Sequence, residues 1–363
     1  MANGSVTPKL MNLALQGGGA HGAFSWGVLD RLLEDPRVEI EAITGASAGA
    51  MNAVALAAGY ADGDRDEARA ALKCFWNGVL EEARSSPLRR SPIETLLGGW
   101  NLDASPAYVM FDLVTRLASP YDLNPFNLNP LRDLVVQLVD FDRVRKSKVK
   151  VFISATNVET GRAHVWDKKE LTADHVMASA CLPWLFQAVE IEGVPYWDGG
   201  FTGNPALWPL FETCQSDDVV LVQINPIKRP GAPTTARDII NRVNEITFNA
   251  SLLHDLRAMD FVTRLIEAGR LEGTGYRRML VHAIADEKTL SALGASSKFN
   301  VEPEFIDMLF GHGREAAENW LRTSFRHVGT KSTVNIRKLF QGEDDSLDGS
   351  QLKPPRGKPK AAE

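Results

Sequence analysis

Residues 39–59 read EIEAITGASAGAMNAVALAAG. Glu39 to Thr44 is a short strand candidate, Gly45-Ala46-Ser47-Ala48-Gly49 a glycine turn, and the Ala/Met-rich run after it a helix ending near Gly59. The segment before it repeats the arrangement. Asn12 to Leu15 is a short apolar run that stops at Gly17-Gly18-Gly19. Phe24, Val28, Leu29, Leu32 and Leu33 then recur at helical spacing up to Glu34, where Asp35-Pro36 ends the pattern. Strand, glycine turn and helix, twice in succession, predict an α/β domain around a largely parallel sheet.

The pattern resumes downstream. Val149 to Thr156 reads as a strand, Ala163 to Trp166 as a hairpin arm, and Thr172 to Ala180 as a short helix stopped before Pro183. Asp218 to Asn225 and Arg278 to Ile284 are further strands. Between them, residues 235–269 carry an amphipathic pattern through Ile239, Val243, Ile246, Leu253, Leu256 and Leu265, opened by Thr235 and Asp238 as a capping box. Pro303 to Phe325 is another helix, with Gly311-His312-Gly313 as a candidate break. The stretch from Pro87 to Pro130 is different: prolines and the aromatics Trp100, Tyr108, Phe111, Tyr121 and Phe126 leave it too apolar for a linker and too broken for one long helix. It reads as an insertion folded over the sheet. The organisation expected is a loose leader at 1–9, one catalytic domain at 10–330 with an insertion at about 87–130, and a disordered tail at 341–363, where acids and then bases follow without apolar periodicity.

Composition narrows the function classes. Of 363 residues, 44% are hydrophobic and 24% charged, the balance of an ordinary globular protein. The net charge of −6 gives no general attraction to nucleic acid or to an anionic membrane, so membrane contact would have to be local and apolar. Cys74, Cys181 and Cys214 form no C-x-x-C pair and read as reduced thiols. Met1 to Leu10 lack an apolar h-region, which speaks against a secretory signal. The longest apolar stretch, Ile43 to Tyr60, is broken by polar and small residues and reads as a buried helix. The location expected from these features is the cytoplasm, with any membrane contact peripheral.

Gly45-Ala46-Ser47-Ala48-Gly49 fits G-x-S-x-G. A sharp strand-to-helix turn crowds the backbone, so a side chain at Gly45 or Gly49 would clash, and the serine is left exposed at the top of the sheet. A lone match is more often a glycine-rich loop with a capping serine, but here a strand precedes and a helix follows. Gly17, Gly18 and Gly19 occupy the equivalent turn of the first unit. There, backbone N–H groups can converge without side chains, a candidate oxyanion hole. Gly17, Gly19 and Gly22 also satisfy G-x-G-x-x-G, with Glu39 or Glu41 at the distance a dinucleotide fold would want, but that reading leaves Ser47 unused. Asp198-Gly199-Gly200 puts an acid at the end of an apolar stretch, where two glycines allow close approach of its carboxylate.

These three blocks resemble the signature blocks of the patatin-like phospholipases. Ala178-Ser179-Ala180-Cys181-Leu182-Pro183 resembles a further family block, and Asn204-Pro205 suits the bacterial members. One departure is visible: His21 stands where many members carry Arg or Lys. The resemblance spans roughly Leu10 to Asn225 and implies a three-layer α/β/α sandwich around a mainly parallel sheet. It implies a catalytic dyad with Ser47 as nucleophile and Asp198 as base, the Gly17–Gly19 loop as oxyanion hole, and Gly22, Gly45, Gly49, Gly199 and Gly200 as motif support. It implies no cofactor and no metal, and a lipid or membrane-surface substrate whose carboxylic esters are cleaved, phospholipid acyl chains first. A free aspartate is a weak base at neutral pH, so burial is expected to raise the Asp198 pKa. The rival within hydrolases is a Ser-Asp-His triad using His254, His282, His312 or His327. Outside the hydrolases, a lipid-binding module with little turnover and an acyltransferase are also compatible with these residues.

Overall fold

The computed structural model describes residues 7–342. Most of the expected leader and of the expected tail therefore lies outside the described residues. Within them, the first strand already begins at Lys9 and a helix holds Gln341. An eight-stranded sheet organises the chain. Its strands are β1 (Lys9–Leu15), β2 (Val38–Gly45), β3 (Lys150–Asn157), β4 (Ala163–Asp167), β5 (Val189–Ile191), β6 (Val194–Asp198), β7 (Asp218–Val222) and β8 (Leu280–Ile284). The order is β5-β6-β3-β2-β1-β7-β8, with β4 paired to β3 off that path. The run β3-β2-β1-β7-β8 is parallel throughout.

Alternating side chains on these strands feed two cores. Met11, Leu13 and Leu15 of β1 pack on one face with Ile43, Val151, Ile153, Val220 and Val222. That face is covered by α1 (Gly22–Glu34), α2 (Ala48–Gly59), α3 (Arg65–Glu82) and the helix Pro303–Thr323. Ala14, Ala42, Phe152, Val219 and Leu221 point the other way, onto the helices Trp208–Thr213 and Ala236–Glu267. The period of two along each strand thus builds the three layers expected.

The strand order places a switch point at the centre. From β1 the chain steps outward through β2 to β3, and it later returns on the other side of β1 as β7 and β8. Loops leaving the carboxyl ends of β1 and β7 therefore diverge and open a crevice, the usual ligand position in such sheets. The edge of β3 adds a second juxtaposition. Phe152 and Ile153 pair with β2 on one side and β4 on the other, while Ala155 and Thr156 pair with β6 and β4. So β2 and β6 share one edge of β3 in succession, and Gly45, opposite Ile153, lies two β3 residues from Asp198, opposite Ala155. The turn after β2 and the end of β6 are brought together by pairing alone.

Two local outcomes differ from the sequence reading. The helix Pro303–Thr323 is continuous through Gly311-His312-Gly313. A Cβ at Gly313 would sit 2.1 Å from the Phe24 carbonyl oxygen, and one at Gly27 would sit 2.0 Å from that of Phe310. These glycines let α1 and the helix Pro303–Thr323 cross backbone to backbone and do not interrupt either. In the 87–130 stretch, prolines that rule out one long helix start several short ones. Pro92–Leu96, Pro106–Leu117, Pro120–Leu123 and Pro130–Leu138 each open on proline, where the missing N–H costs nothing.

Candidate active site

Ser47 stands between β2 and α2 with φ 52° and ψ −123°, a conformation unusual for a residue with a side chain. The glycines around it explain how the turn closes. A Cβ at Gly45 would lie 2.7 Å from the carbonyl of Gly49, and one at Gly49 would lie 2.3 Å from the Leu15 oxygen. Ser47 donates its own N–H to Ser179 Oγ at 2.9 Å, which fixes the turn from the side. Ser47 is partly exposed, whereas Ala46 and Ala48 on either side are buried.

The glycine loop lies directly against this turn. A Cβ at Gly17 would meet Ser47 Cβ at 2.7 Å and the Ala46 oxygen at 2.8 Å. Its backbone is held by buried amides at the switch point. Gln16 Oε1 accepts from the N–H groups of Ile224 and Asn225, both at 2.9 Å, and Asn225 Nδ2 donates to the Gly17 carbonyl at 2.7 Å. The Gly17 N–H donates to Asn204 Oδ1 at 2.6 Å. The N–H groups of Gly18 and Gly19 find no acceptor among the described residues. Gly19 has φ 58°, and a Cβ there would strike the Lys298 carbonyl at 2.5 Å. A Cβ at Gly22 would lie 2.7 Å from Ala48 Cβ, and its absence lets α1 seat on α2.

Asp198 ends β6 and is 1% exposed. Its N–H donates to the Cys181 carbonyl at 2.8 Å, and its carbonyl accepts from Thr156 Oγ1 at 2.8 Å. Oδ1 accepts from the Gly200 N–H at 2.7 Å, while Oδ2 is buried without a made hydrogen bond. Gly199 lets the chain pass Ser154, whose carbonyl a Cβ would approach to 2.1 Å, and Gly200 leaves room for the Phe248 ring. Burial pushes the Asp198 pKa up to about 7. The Gly200 N–H, the Ser47 hydroxyl and the charge of Lys298 each pull it back. The Ser47 hydroxyl is thus near enough to favour the carboxylate, yet it does not close a hydrogen bond of good geometry on Oδ2.

The structure therefore gathers Ser47, Asp198, Gly17, Gly18, Gly19, Gly22, Gly45, Gly49, Gly199 and Gly200 at the carboxyl ends of β1, β2 and β6. It does not bring the four candidate histidines there by hydrogen bonding. His282 Nε2 is bonded to Asp218 at 2.8 Å, and His312 Nδ1 to Asp286 at 2.9 Å. His254 lines a cavity of about 500 Å³ between the helices Ala236–Glu267 and Ile336–Gln341, and His327 bonds Arg326. Among the described residues no histidine bonds Ser47 or Asp198. Glu39 pairs Arg65, and Glu41 is tied to Gln215, Ser216 and Lys150, so neither acid is free for a ribose. No cluster of His, Cys, Asp and Glu suited to a metal occurs among the described residues. Cys74, Cys181 and Cys214 are free thiols.

Several residues of the site escape sequence reasoning. Gln16, Asn204 and Asn225 are buried amides whose value lies in backbone partners far along the chain. For Gln16 and Asn225 the only sequence signal is a polar residue soon after an apolar strand, and for Asn204 it is the Asn204-Pro205 pair, which does not announce a bond to Gly17. Ser179 sits in a quoted block, but nothing in that block announces a bond to Ser47.

The fold and these positions define a class: an α/β protein with a serine on a strand-to-helix elbow, beside the switch point of a mostly parallel sheet. The sequence matches the family model described as patatin-like phospholipase over residues 13–211, more than half of the chain, and the chain belongs to that family. Lipid acyl hydrolysis is the general activity this membership supports. Among solved structures, the crystal structure of VipD from Legionella pneumophila is similar at 16% identity with a TM-score of 0.39, over 87% of this chain and 67% of that chain. No curated protein matches the sequence.

Proposed function

We propose that this protein is a serine lipid acyl hydrolase that cleaves carboxylic esters of phospholipids or related lipids through Ser47 and Asp198. The observation that carries the proposal is the pairing of a strained, partly exposed serine with a buried carboxylate whose Oδ2 is unpartnered. Asp198 takes the Ser47 proton as Oγ attacks the ester carbonyl. A base whose pKa lies near the working pH does this better than an ordinary aspartate. The tetrahedral oxyanion rests on the Gly17–Gly19 loop, through the free N–H groups of Gly18 and Gly19. One such donor is typically worth about 3–4 kcal/mol in the transition state. The proton on Asp198 then passes to the departing alcohol, leaving an acyl group on Ser47. Water, deprotonated by Asp198, releases the acid. Among the described residues no histidine hydrogen-bonds Ser47 or Asp198, which favours this dyad over a Ser-Asp-His triad.

Residues 10–330 form the catalytic unit in this reading, with 87–130 as an insertion at its mouth. The insertion touches loops on two sides of the site. The Tyr121 hydroxyl accepts from the Ala188 N–H at 3.2 Å, and the Phe111 ring lies 5.9 Å from that of Phe299. Its outer side leaves Leu96 and Phe126 87% and 84% exposed. With a net charge of −6, an apolar contact of this kind is how the enzyme would meet a lipid surface. Among the described residues no helix is long and apolar enough to cross a membrane. We assign the protein to the cytoplasm, acting peripherally on lipid and without a cofactor. Mass-spectrometric product analysis on a defined lipid panel, with Ser47→Ala as the blank, tests the assignment. Release of fatty acid by wild type alone is expected, and equal release by both would refute it.

A further inference from the structure

We propose that Lys298 is a positioning residue for the Ser47–Asp198 pair: docked on the glycine loop by His21 through Ser297, it brings a positive charge to the site from a segment 100 residues beyond Asp198. This rests on the reading of Ser47 and Asp198 given above. Three contacts carry it. Lys298 Nζ donates to Asn225 Oδ1 at 2.7 Å, and the same Asn225 holds the Gly17 carbonyl through Nδ2. The Lys298 backbone carbonyl seals the other end of the loop, where even a methyl group on Gly19 would meet it at 2.5 Å. His21 Nε2 and Ser297 Oγ are 2.8 Å apart, and Ser297 Oγ donates to Gly294, so the turn Ser296–Phe299 is pinned to the helical turn that follows the glycines.

His21 itself brings no charge. Burial, with Lys298 and Arg229 nearby, lowers its pKa to about 3. Arg229 and Arg242 are both committed to Glu245. Lys298 has no carboxylate within ion-pair distance among the described residues, and its ammonium lies 5.7 Å from the centre of the Phe248 ring, which also packs on Gly200. The charged and titratable groups facing it are Asp198, Glu245, Arg229 and His21, and Cys181 neighbours Asp198. Burial lowers the Lys298 pKa, and Glu245 and Asp198 hold it up; in its charged form Lys298 favours the carboxylate form of Asp198, the form that accepts a proton, and it braces the loop on which negative charge develops.

The test is the pH profile of kcat/KM for p-nitrophenyl butyrate, measured on the full chain as wild type, Lys298→Met, Lys298→Gln and Lys298→Arg. Met and Gln remove the charge, and Gln keeps a donor for Asn225. Both should lower kcat about tenfold or more and move the acid limb upward by about half a pH unit. Arg should restore the limb. Met and Gln variants that keep the wild-type limb and kcat overturn the proposal, as does an Arg variant no better than Met. Circular dichroism separates misfolding. Should Met and Gln not fold, Ser297→Ala loosens the turn without removing the lysine and should move the limb in the same direction. A folded Ser297→Ala with an unmoved limb then overturns the proposal. Turnover surviving in Ser47→Ala refutes the underlying reading instead, so the two failures are distinct.

Discussion

Replacing Asp198 by Asn should destroy turnover while making the protein more stable at alkaline pH. The folded pKa of Asp198 is raised from an ordinary 3.8 to about 7, chiefly by burial. Between those values the native state holds a proton that the unfolded state has released. Stability contributed by this group is therefore present at low pH and is lost as pH rises through that window. A pKa difference of one is equivalent to about 1.4 kcal/mol, so ionised Asp198 costs the native state about 4 kcal/mol at pH 8. Between pH 5 and pH 8 the cost grows by about 2.5 kcal/mol. Asparagine keeps the acceptor for the Gly200 N–H and carries no charge into the dry site. Urea unfolding of both proteins at pH 5 and pH 8 measures the difference. The variant should gain about 2.5 kcal/mol on wild type between the two conditions. Hydrolysis of p-nitrophenyl butyrate should fall by more than about a thousandfold, as for a lost general base, roughly 4 kcal/mol of transition-state stabilisation. A stability difference that does not change with pH, or a variant that still turns over, refutes the reasoning.

Three further outcomes follow from single contacts. Ser179→Ala deprives the Ser47 N–H of its acceptor and should cost about 1–3 kcal/mol, seen as a lower kcat with KM nearly unchanged. Gly17→Ala forces a Cβ against Ser47 and Ala46. It should lower stability in thermal melts by about 1–3 kcal/mol and abolish turnover, and a fully active variant contradicts the close packing of loop and elbow. The pair Leu96→Ser and Phe126→Ser removes exposed apolar surface only. It should leave hydrolysis of a short soluble ester intact and weaken sedimentation with phosphatidylcholine vesicles severalfold, and unchanged sedimentation would place the lipid contact elsewhere.

Much of the site is legible in the sequence because tight turns demand glycine. Gly45 and Gly49 bracket Ser47 for a steric reason that any reader of the chain can state, and the structure gives that reason a distance. The same logic misleads at Gly311-His312-Gly313. There the demand for glycine comes from a crossing helix, which no local pattern reveals. The prolines of 87–130 are correctly read as stops, yet they also serve as starts. What stays hidden is chemistry assembled across long separations. Asn204, Asn225 and Lys298 are ordinary polar residues in their own neighbourhoods and gain meaning only when the strand order brings the ends of β1, β2, β6 and β7 to one crevice. The departure at His21 is visible in the sequence, whereas the approach of Lys298 to Asn225 beside the loop is not.

The most direct test of the central claim is to react the protein with a fluorophosphonate probe at pH 8 and map the adduct by peptide mass spectrometry. One modified residue is expected, Ser47, with labelling lost in Ser47→Ala and strongly slowed in Asp198→Asn. A folded wild type that takes no label, or a label on any other residue, would contradict it.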